Sequence, residues 1–115
     1  MKFKVYGSEK VETIMLLHGG GLSWWSYRDE AELLQQDYRV ILPVLDGHAG
    51  SDRAFTTIED NAAGIISFVN HELGGSVLLL GGLSLGAQIV LAYFRFPITN
   101  KFTKYMQSET IPMSE

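Results

Sequence analysis

Short apolar runs alternate along the chain with segments in which apolar residues recur at helical spacing. Runs at residues 12–18, 38–44 and 76–82 contain β-branched or leucine-rich stretches bounded by glycine and polar clusters. Such runs are typical of strands that are buried on both faces of a parallel sheet. Weaker strand patterns occur at 3–6 and 102–107.

Helical spacing between and after these runs predicts three helices. The first covers residues 26–36 behind a serine cap, and the second begins at a capping-box pattern formed by Thr56 and Glu59. The third, at 85–96, is apolar on most sides and is expected to be buried. Strands that alternate with helices predict a single α/β domain over residues 1–115, with a mostly parallel sheet flanked by helices on both faces.

Composition narrows the possible environments and partners. The chain of 115 residues is 46% hydrophobic and 19% charged, as expected of a folded globular domain. A net charge of -4 gives no reason to expect nucleic acid or an anionic membrane as a partner. There is no cysteine, and the N-terminus lacks the apolar core of a signal peptide, so a cytoplasmic location is expected.

One uncharged segment, residues 74–94, is long enough to cross a bilayer. Glycines cluster at its middle, however, and this clustering favours a strand, a turn and a helix over one continuous helix. No membrane span is therefore predicted.

The segment Gly82-Leu83-Ser84-Leu85-Gly86 matches the pattern G-x-S-x-G. A serine on a sharp strand-to-helix turn has a strained backbone, and side chains two positions away on either side would clash. The turn also places the serine hydroxyl at a helix N-terminus, where the aligned amides favour developing negative charge.

Two other glycine-loop interpretations fail on the same residues. A phosphate-binding P-loop starting at Gly81 would need Lys and Ser or Thr where Ala87 and Gln88 stand. The loop at 19–24 does not complete the dinucleotide pattern, because Trp24 occupies the last glycine position. No cofactor is expected.

The segment His18-Gly19-Gly20-Gly21 follows the first strong strand. Glycines let backbone N–H groups approach a ligand closely, as an oxyanion hole requires, although the same residues could form a flexible turn. This loop and the serine turn both leave the carboxyl ends of predicted strands, where α/β sheets bind ligands.

Together, "LLHGGGLSWWSY", "LPVLDGHAGSD" and "LLLGGLSLGAQIVL" resemble the N-terminal half of an α/β-hydrolase, and are most similar to small esterase-like and haloperoxidase-like members. The resemblance implies that Ser84 is the nucleophile and that the backbone N–H groups of Leu85 and Gly20 form the oxyanion hole. Residues expected to shape the site without supplying the triad are His18, Gly19, Gly21 and His48. The implied substrates are small esters or related acyl compounds.

The chain departs from the family order of Ser, then Asp or Glu, then His. Its three histidines, at 18, 48 and 71, all precede Ser84, and the acids that follow are Glu109 and Glu115 in the tail. We therefore expect the triad acid and histidine to be absent through truncation or to come from a partner. The alternative is a catalytically silent derivative that binds a small molecule or a protein.

Upstream histidines are poor substitutes for the missing base. In the family's strand order His48 is two strand spacings, roughly 10 Å, from the serine strand, so packing or capping of its loop is favoured. His18 is expected to hold the oxyanion loop through a backbone hydrogen bond, and His71 to face solvent. Asp46 and His48 lack a third metal ligand, so no metal is expected.

Two further expectations concern packing. At least one of Trp24 and Trp25 is expected to pack between helix and sheet, although either could line an acyl pocket. The strand at 76–82 would be an apolar sheet edge unless residues 102–107 or another chain cover it. This predicts a homo-oligomer that associates near residues 77–82 and 102–107.

Overall fold

A five-stranded sheet lies at the centre of the computed structural model, which describes residues 1–96 and 104–107. The strands are β1 (Lys2–Tyr6), β2 (Thr13–Leu17), β3 (Arg39–Val44), β4 (Leu79–Gly82) and β5 (Lys104–Gln107), and the helices are α1 (Arg28–Leu34), α2 (Ile58–Glu72) and α3 (Leu85–Arg95), with a 3-10 turn at Trp24–Tyr27. The five predicted strands and three predicted helices are all present. The other residues of the tail 97–115 lie outside the described residues.

The strand order is β1-β3-β2-β4-β5. Strands β3, β2, β4 and β5 run parallel, and β1 pairs antiparallel with β3. The prediction of a mostly parallel sheet is therefore confirmed, and β2 is its central strand. Because β2, β3 and β4 are parallel, the loops that follow them meet at one edge of the sheet.

Helices cover both faces of the sheet, as predicted. Alternate residues of β3 point to opposite faces: Val40 and Leu42 pack against Ala31 of α1. Ile41 belongs to the larger cluster that includes Ile65 of α2 and other residues of α2 and α3. The short apolar runs are buried for this reason.

Two predicted helix starts are displaced. Helix α1 begins at Arg28 with no side-chain cap, and the Ser26 hydroxyl donates instead to the Ser23 carbonyl. Helix α2 is capped by Thr57, whose hydroxyl accepts the Asp60 N–H at 2.9 Å, so the cap lies one residue beyond the predicted Thr56. In α1 the 3-10 turn at Trp24–Tyr27 takes up the predicted first residues, and in α2 the neighbouring hydroxyl of Thr57 takes the capping role.

The uncharged segment 74–94 is divided among β4, a sharp turn and most of α3. Within the described residues, no helix has the length and apolarity needed to cross a membrane. Strand β5 pairs with β4 from within the chain, so β4 is not the exposed edge.

Candidate active site

Ser84 occupies the sharp turn between β4 and α3. Its φ of 57° and ψ of -114° make it the one non-glycine residue with positive φ in the described part of the chain. The turn is closed by the Gly86 N–H, which donates to the Leu83 carbonyl at 3.0 Å. A left-handed backbone at a serine is costly, and such conformations cluster at functional sites.

The two glycines of the pattern are required by close backbone approach. A side chain on Gly82 would overlap the backbone of Gly86, and one on Gly86 would overlap the carbonyl oxygens of Leu17 and His18. Helix α3 therefore starts directly against the end of β2. The steric reason for the G-x-S-x-G spacing holds in this chain.

The glycine loop after β2 lies beside Ser84. A Cβ atom placed on Gly19 would be 3.8 Å from the Ser84 Cβ, and one placed on Gly20 would be 3.7 Å from the Leu85 Cβ. Gly21 has a φ of +80°, and the Leu22 N–H donates to the Gly19 carbonyl at 3.2 Å to close the turn. The chain thus brings together the residues expected to supply the nucleophile and the oxyanion donors.

His18 is completely buried at the start of this loop. The Leu45 N–H donates to its Nε2 at 3.1 Å, so the ring proton is on Nδ1, which donates to the Gly19 carbonyl at 2.9 Å. Burial lowers the pKa of His18, an effect partly offset by the Gly19 hydrogen bond and reinforced by nearby His48. A neutral imidazole with both nitrogens in use holds the loop and has no lone pair for a substrate proton.

His48 lies on the loop after β3. Its Nδ1 is 3.0 Å from the Asp46 carbonyl, and its ring contacts those of His18 and Phe55 edge-on, with centroids 5.0 and 6.5 Å apart. Since β2 lies between β3 and β4, the strand of His48 is two spacings from the strand of Ser84. The contacts support packing of the loop as its role.

His71 is in the last turn of α2, where its Nδ1 is 2.7 Å from the Ser67 carbonyl. Helix α2 returns the chain to the start of β4, so His71 lies at the opposite edge of the sheet from Ser84. It is exposed, as expected, and is remote from the nucleophile.

Asp46 has an environment that its sequence context does not reveal. Its side chain is fully buried, and neither carboxylate oxygen has a hydrogen bond. The nearest positive group is Arg53, with Nη2 3.6 Å from the Asp46 Oδ2. The backbone N–H of Asp46 donates to the Asn61 Oδ1 at 2.9 Å. No group of three or more potential metal ligands occurs among the described residues.

The two tryptophans separate in role. Trp24 packs against the cluster formed by Ala31 of α1 with Val40 and Leu42 of β3. The Lys4 and Arg28 cations lie 4.6 and 5.1 Å from the centroid of its ring. Trp25 is 44% exposed. The expectation that at least one of them packs between helix and sheet is confirmed for Trp24.

Sequence reasoning missed Ser23. This residue follows the glycine loop and is fully buried, and its hydroxyl donates to the Ala49 carbonyl at 2.6 Å. Ser23 and Ala49 are 26 residues apart, and the residues next to Ser23, a leucine and two tryptophans, do not indicate this partner.

Comparisons with solved structures give the same fold. An esterase from Thermogutta terrifontis is 31% identical, with a TM-score of 0.74 over 82% of this chain and 35% of its own. An alpha/beta hydrolase family protein from Desulfitobacterium hafniense has a TM-score of 0.78 at 20% identity, over 91% and 41% of the two chains. An enol-lactonase from Burkholderia xenovorans has a TM-score of 0.71 at 20% identity, over 79% and 36%. The chain therefore spans less than half the length of each of these proteins.

No functionally curated protein matches the chain at a significant level. The model of the alpha/beta hydrolase family matches residues 14–103, which include the glycine loop and the serine turn. With the sheet order and the turn geometry, this match shows that the chain belongs to the alpha/beta hydrolase family.

Proposed function

We propose that this chain contributes the nucleophile half of a serine hydrolase that cleaves small esters or related acyl compounds. The observation that carries the proposal is the strained, left-handed backbone of Ser84 between β4 and α3, with the glycine loop beside it. An esterase at 31% identity and an enol-lactonase of the same fold support an ester-type substrate.

In the proposed reaction the Ser84 Oγ attacks the carbonyl carbon of the ester. The carbonyl oxygen becomes an oxyanion, and the N–H groups of Gly20 and Leu85 donate to it. The general base takes the Ser84 proton and passes it to the ester oxygen, whose bond to the carbonyl carbon breaks so that an alcohol leaves. Water then cleaves the acyl-serine, which releases the carboxylic acid and restores the Ser84 hydroxyl. The N-terminus of α3 adds its dipole to the stabilisation of the oxyanion.

The general base is proposed to come from polypeptide outside these 115 residues. His18 has both nitrogens in hydrogen bonds, and His71 lies at the other edge of the sheet. His48 follows β3, which is two strand spacings from β4, and no histidine follows Ser84 in the sequence. The match to less than half of each solved structure supports this proposal.

The second candidate is a binding protein that uses the same cleft without catalysis. The engagement of both His18 nitrogens favours this candidate, because His18 then cannot take a proton from the Ser84 hydroxyl. A small ligand or a protein segment would then occupy the cleft beside Ser84.

An alkyl fluorophosphonate separates the two candidates. The oxyanion hole and substrate binding alone retain roughly 10³-fold acceleration in serine hydrolases that lack triad residues, so we expect slow but stoichiometric labelling at Ser84. Ser84→Ala should remove the label, and Ser67→Ala on the exposed face of α2 should keep it. Labelling no faster than that of a free serine peptide would reject the hydrolase proposal and leave the binding protein.

We also propose that the chain self-associates through the outer edge of β5 and that it is cytoplasmic. Strand β5 is the last strand of the sheet in the described residues, and an unpaired strand edge favours association.

A further inference from the structure

Ser23 is a buried hydroxyl at the end of the glycine loop. Its Oγ donates to the carbonyl oxygen of Ala49 at 2.6 Å, and the side chain has no exposed surface. Ala49 belongs to the loop between β3 and α2, so this hydrogen bond joins two loops at the same edge of the sheet.

Hydrogen bonds to the β3–α2 loop lie on both sides of the glycine turn. Before the turn, His18 accepts the Leu45 N–H at 3.1 Å, and after it Ser23 donates to Ala49. The turn itself has one backbone hydrogen bond, from the Leu22 N–H to the Gly19 carbonyl. Glycines have wide conformational freedom, so the direction of the Gly20 N–H depends on how the two ends are held.

The partner loop is well suited to hold Ser23 in place. The Gly47 N–H donates to the Arg53 carbonyl at 2.7 Å and the Ser51 N–H to the His48 carbonyl at 2.8 Å. These bonds close the loop on either side of Ala49. The Ala49 carbonyl is therefore a fixed acceptor.

We propose that Ser23 is a positioning residue for the oxyanion hole, acting through the backbone of Gly20. It holds the carboxyl-terminal end of the glycine turn against the β3–α2 loop, so that the Gly20 N–H stays beside the Leu85 N–H. This inference rests on the proposed function for its consequence in catalysis.

The first test compares fluorophosphonate labelling of Ser84 in the full chain, where the serine oxygen bonds to phosphorus and fluoride leaves. Ser23→Ala should lower the maximal labelling rate about tenfold, since small displacements of donors cost this much or more, while the concentration for half-maximal rate stays the same. Ser23→Thr keeps the hydroxyl and should recover most of the rate. Ser67→Ala, which removes an exposed hydroxyl on α2, should have no effect.

Loss of stability alone has a separate control. Ile66→Val in the core of α2 should lower the thermal midpoint and leave the labelling rate unchanged. If Ser23→Ala is labelled as fast as the unmodified chain, or if Ile66→Val slows labelling equally, the positioning role is rejected.

The second test does not depend on catalysis. NMR order parameters of the Gly20 and Gly21 amides should fall from about 0.85 to below about 0.6 in Ser23→Ala, and stay unchanged in Ser67→Ala. If Ser84 is never labelled, the proposed function is lost, and the order parameters alone decide whether Ser23 holds the turn. Unchanged order parameters in Ser23→Ala would overturn the inference.

Discussion

Ser84 is held in a conformation that an isolated serine avoids. A left-handed backbone of this kind costs about 1–3 kcal/mol and persists only where the surroundings enforce it. Here the Leu83 N–H donates to the Leu17 carbonyl at 3.2 Å, and the Gly86 N–H donates to the Leu83 carbonyl at 3.0 Å. The turn is therefore fixed from both the neighbouring strand and its own helix.

Gly86→Ala tests the contact between α3 and β2. The new methyl group would overlap the Leu17 and His18 carbonyl oxygens, which are backbone atoms that cannot rotate away. We expect a loss of about 2–3 kcal/mol in the free energy of unfolding, measured by urea denaturation. The control is Gly64→Ala within α2, where the methyl meets only the Met1 Cε at 3.4 Å. It should gain about 0.5–1 kcal/mol, and equal effects of the two substitutions would contradict the steric explanation.

His18 predicts a dependence of stability on pH. Its pKa is lowered in the folded chain because burial disfavours the charged ring. Below the ordinary pKa of 6.5, the unfolded chain takes up a proton that the folded chain does not. The free energy of unfolding therefore has its full value above pH 6.5 and decreases as the pH falls below it. The decrease from this cause ends once the pH is below the pKa of His18 in the folded chain.

The measurement compares urea unfolding at pH 7.5 and 5.5 for the unmodified chain, His18→Gln and His71→Gln. Removal of the imidazole at position 18 should reduce the loss of stability at low pH, by at most about 1.4 kcal/mol per pH unit. His71 is exposed at the end of α2, so its replacement should leave most of the pH dependence in place. The same pH dependence in all three proteins would contradict this assignment.

Helix starts depend on which hydroxyl faces the first free N–H groups. Thr57 accepts the Asp60 N–H in α2, whereas Thr56 donates to the Asp60 carboxylate at 2.6 Å on the exposed side. Thr57→Ala should therefore cost about 1 kcal/mol of unfolding free energy. Thr56→Ala should cost less than about 0.5 kcal/mol. If urea denaturation shows that Thr56→Ala costs more than Thr57→Ala, the capping box predicted from Thr56 and Glu59 is the correct one.

Strand elements were more easily predicted than helix starts. The runs of 12–18 and 38–44 match β2 and β3 closely, because a fully buried strand must be apolar on both faces. The run of 76–82 was predicted too long, since β4 begins only at Leu79. Apolar composition continues into the preceding loop, where Val77 is also buried, so burial alone does not mark the start of pairing.

At the scale of the whole molecule, sheet edges determine association. Strand β5 pairs with β4 and covers its edge, so the outer edge on this side of the described sheet is β5, residues 104–107. We expect light scattering to give at least twice the monomer mass at high concentration and a smaller mass on dilution. Met106→Pro removes a backbone donor from β5 and should weaken association, whereas Val5→Lys on the opposite edge strand should not. A constant monomer mass would reject the proposal.

Sequence alone determined the features that depend on local sterics and periodicity. It predicted the strand–turn–helix at Ser84, the need for Gly82 and Gly86, and the alternation that builds a parallel sheet. These follow from residues that are close in sequence, or from burial on a regular repeat. The expected hold of His18 on the glycine loop also belongs here, because Gly19 is its neighbour.

Only the tertiary structure decided which distant groups meet. The bonds from Leu45 to His18, from Ser23 to Ala49 and from the Asp46 N–H to Asn61 join segments that no periodicity relates. Hydrogen bonding depends on distances within a few tenths of an ångström and on direction, which the packing of the loops sets. Sequence therefore indicated a nucleophile and its donors, while the folded chain decided that His18 and Ser23 each bond to the loop that follows β3.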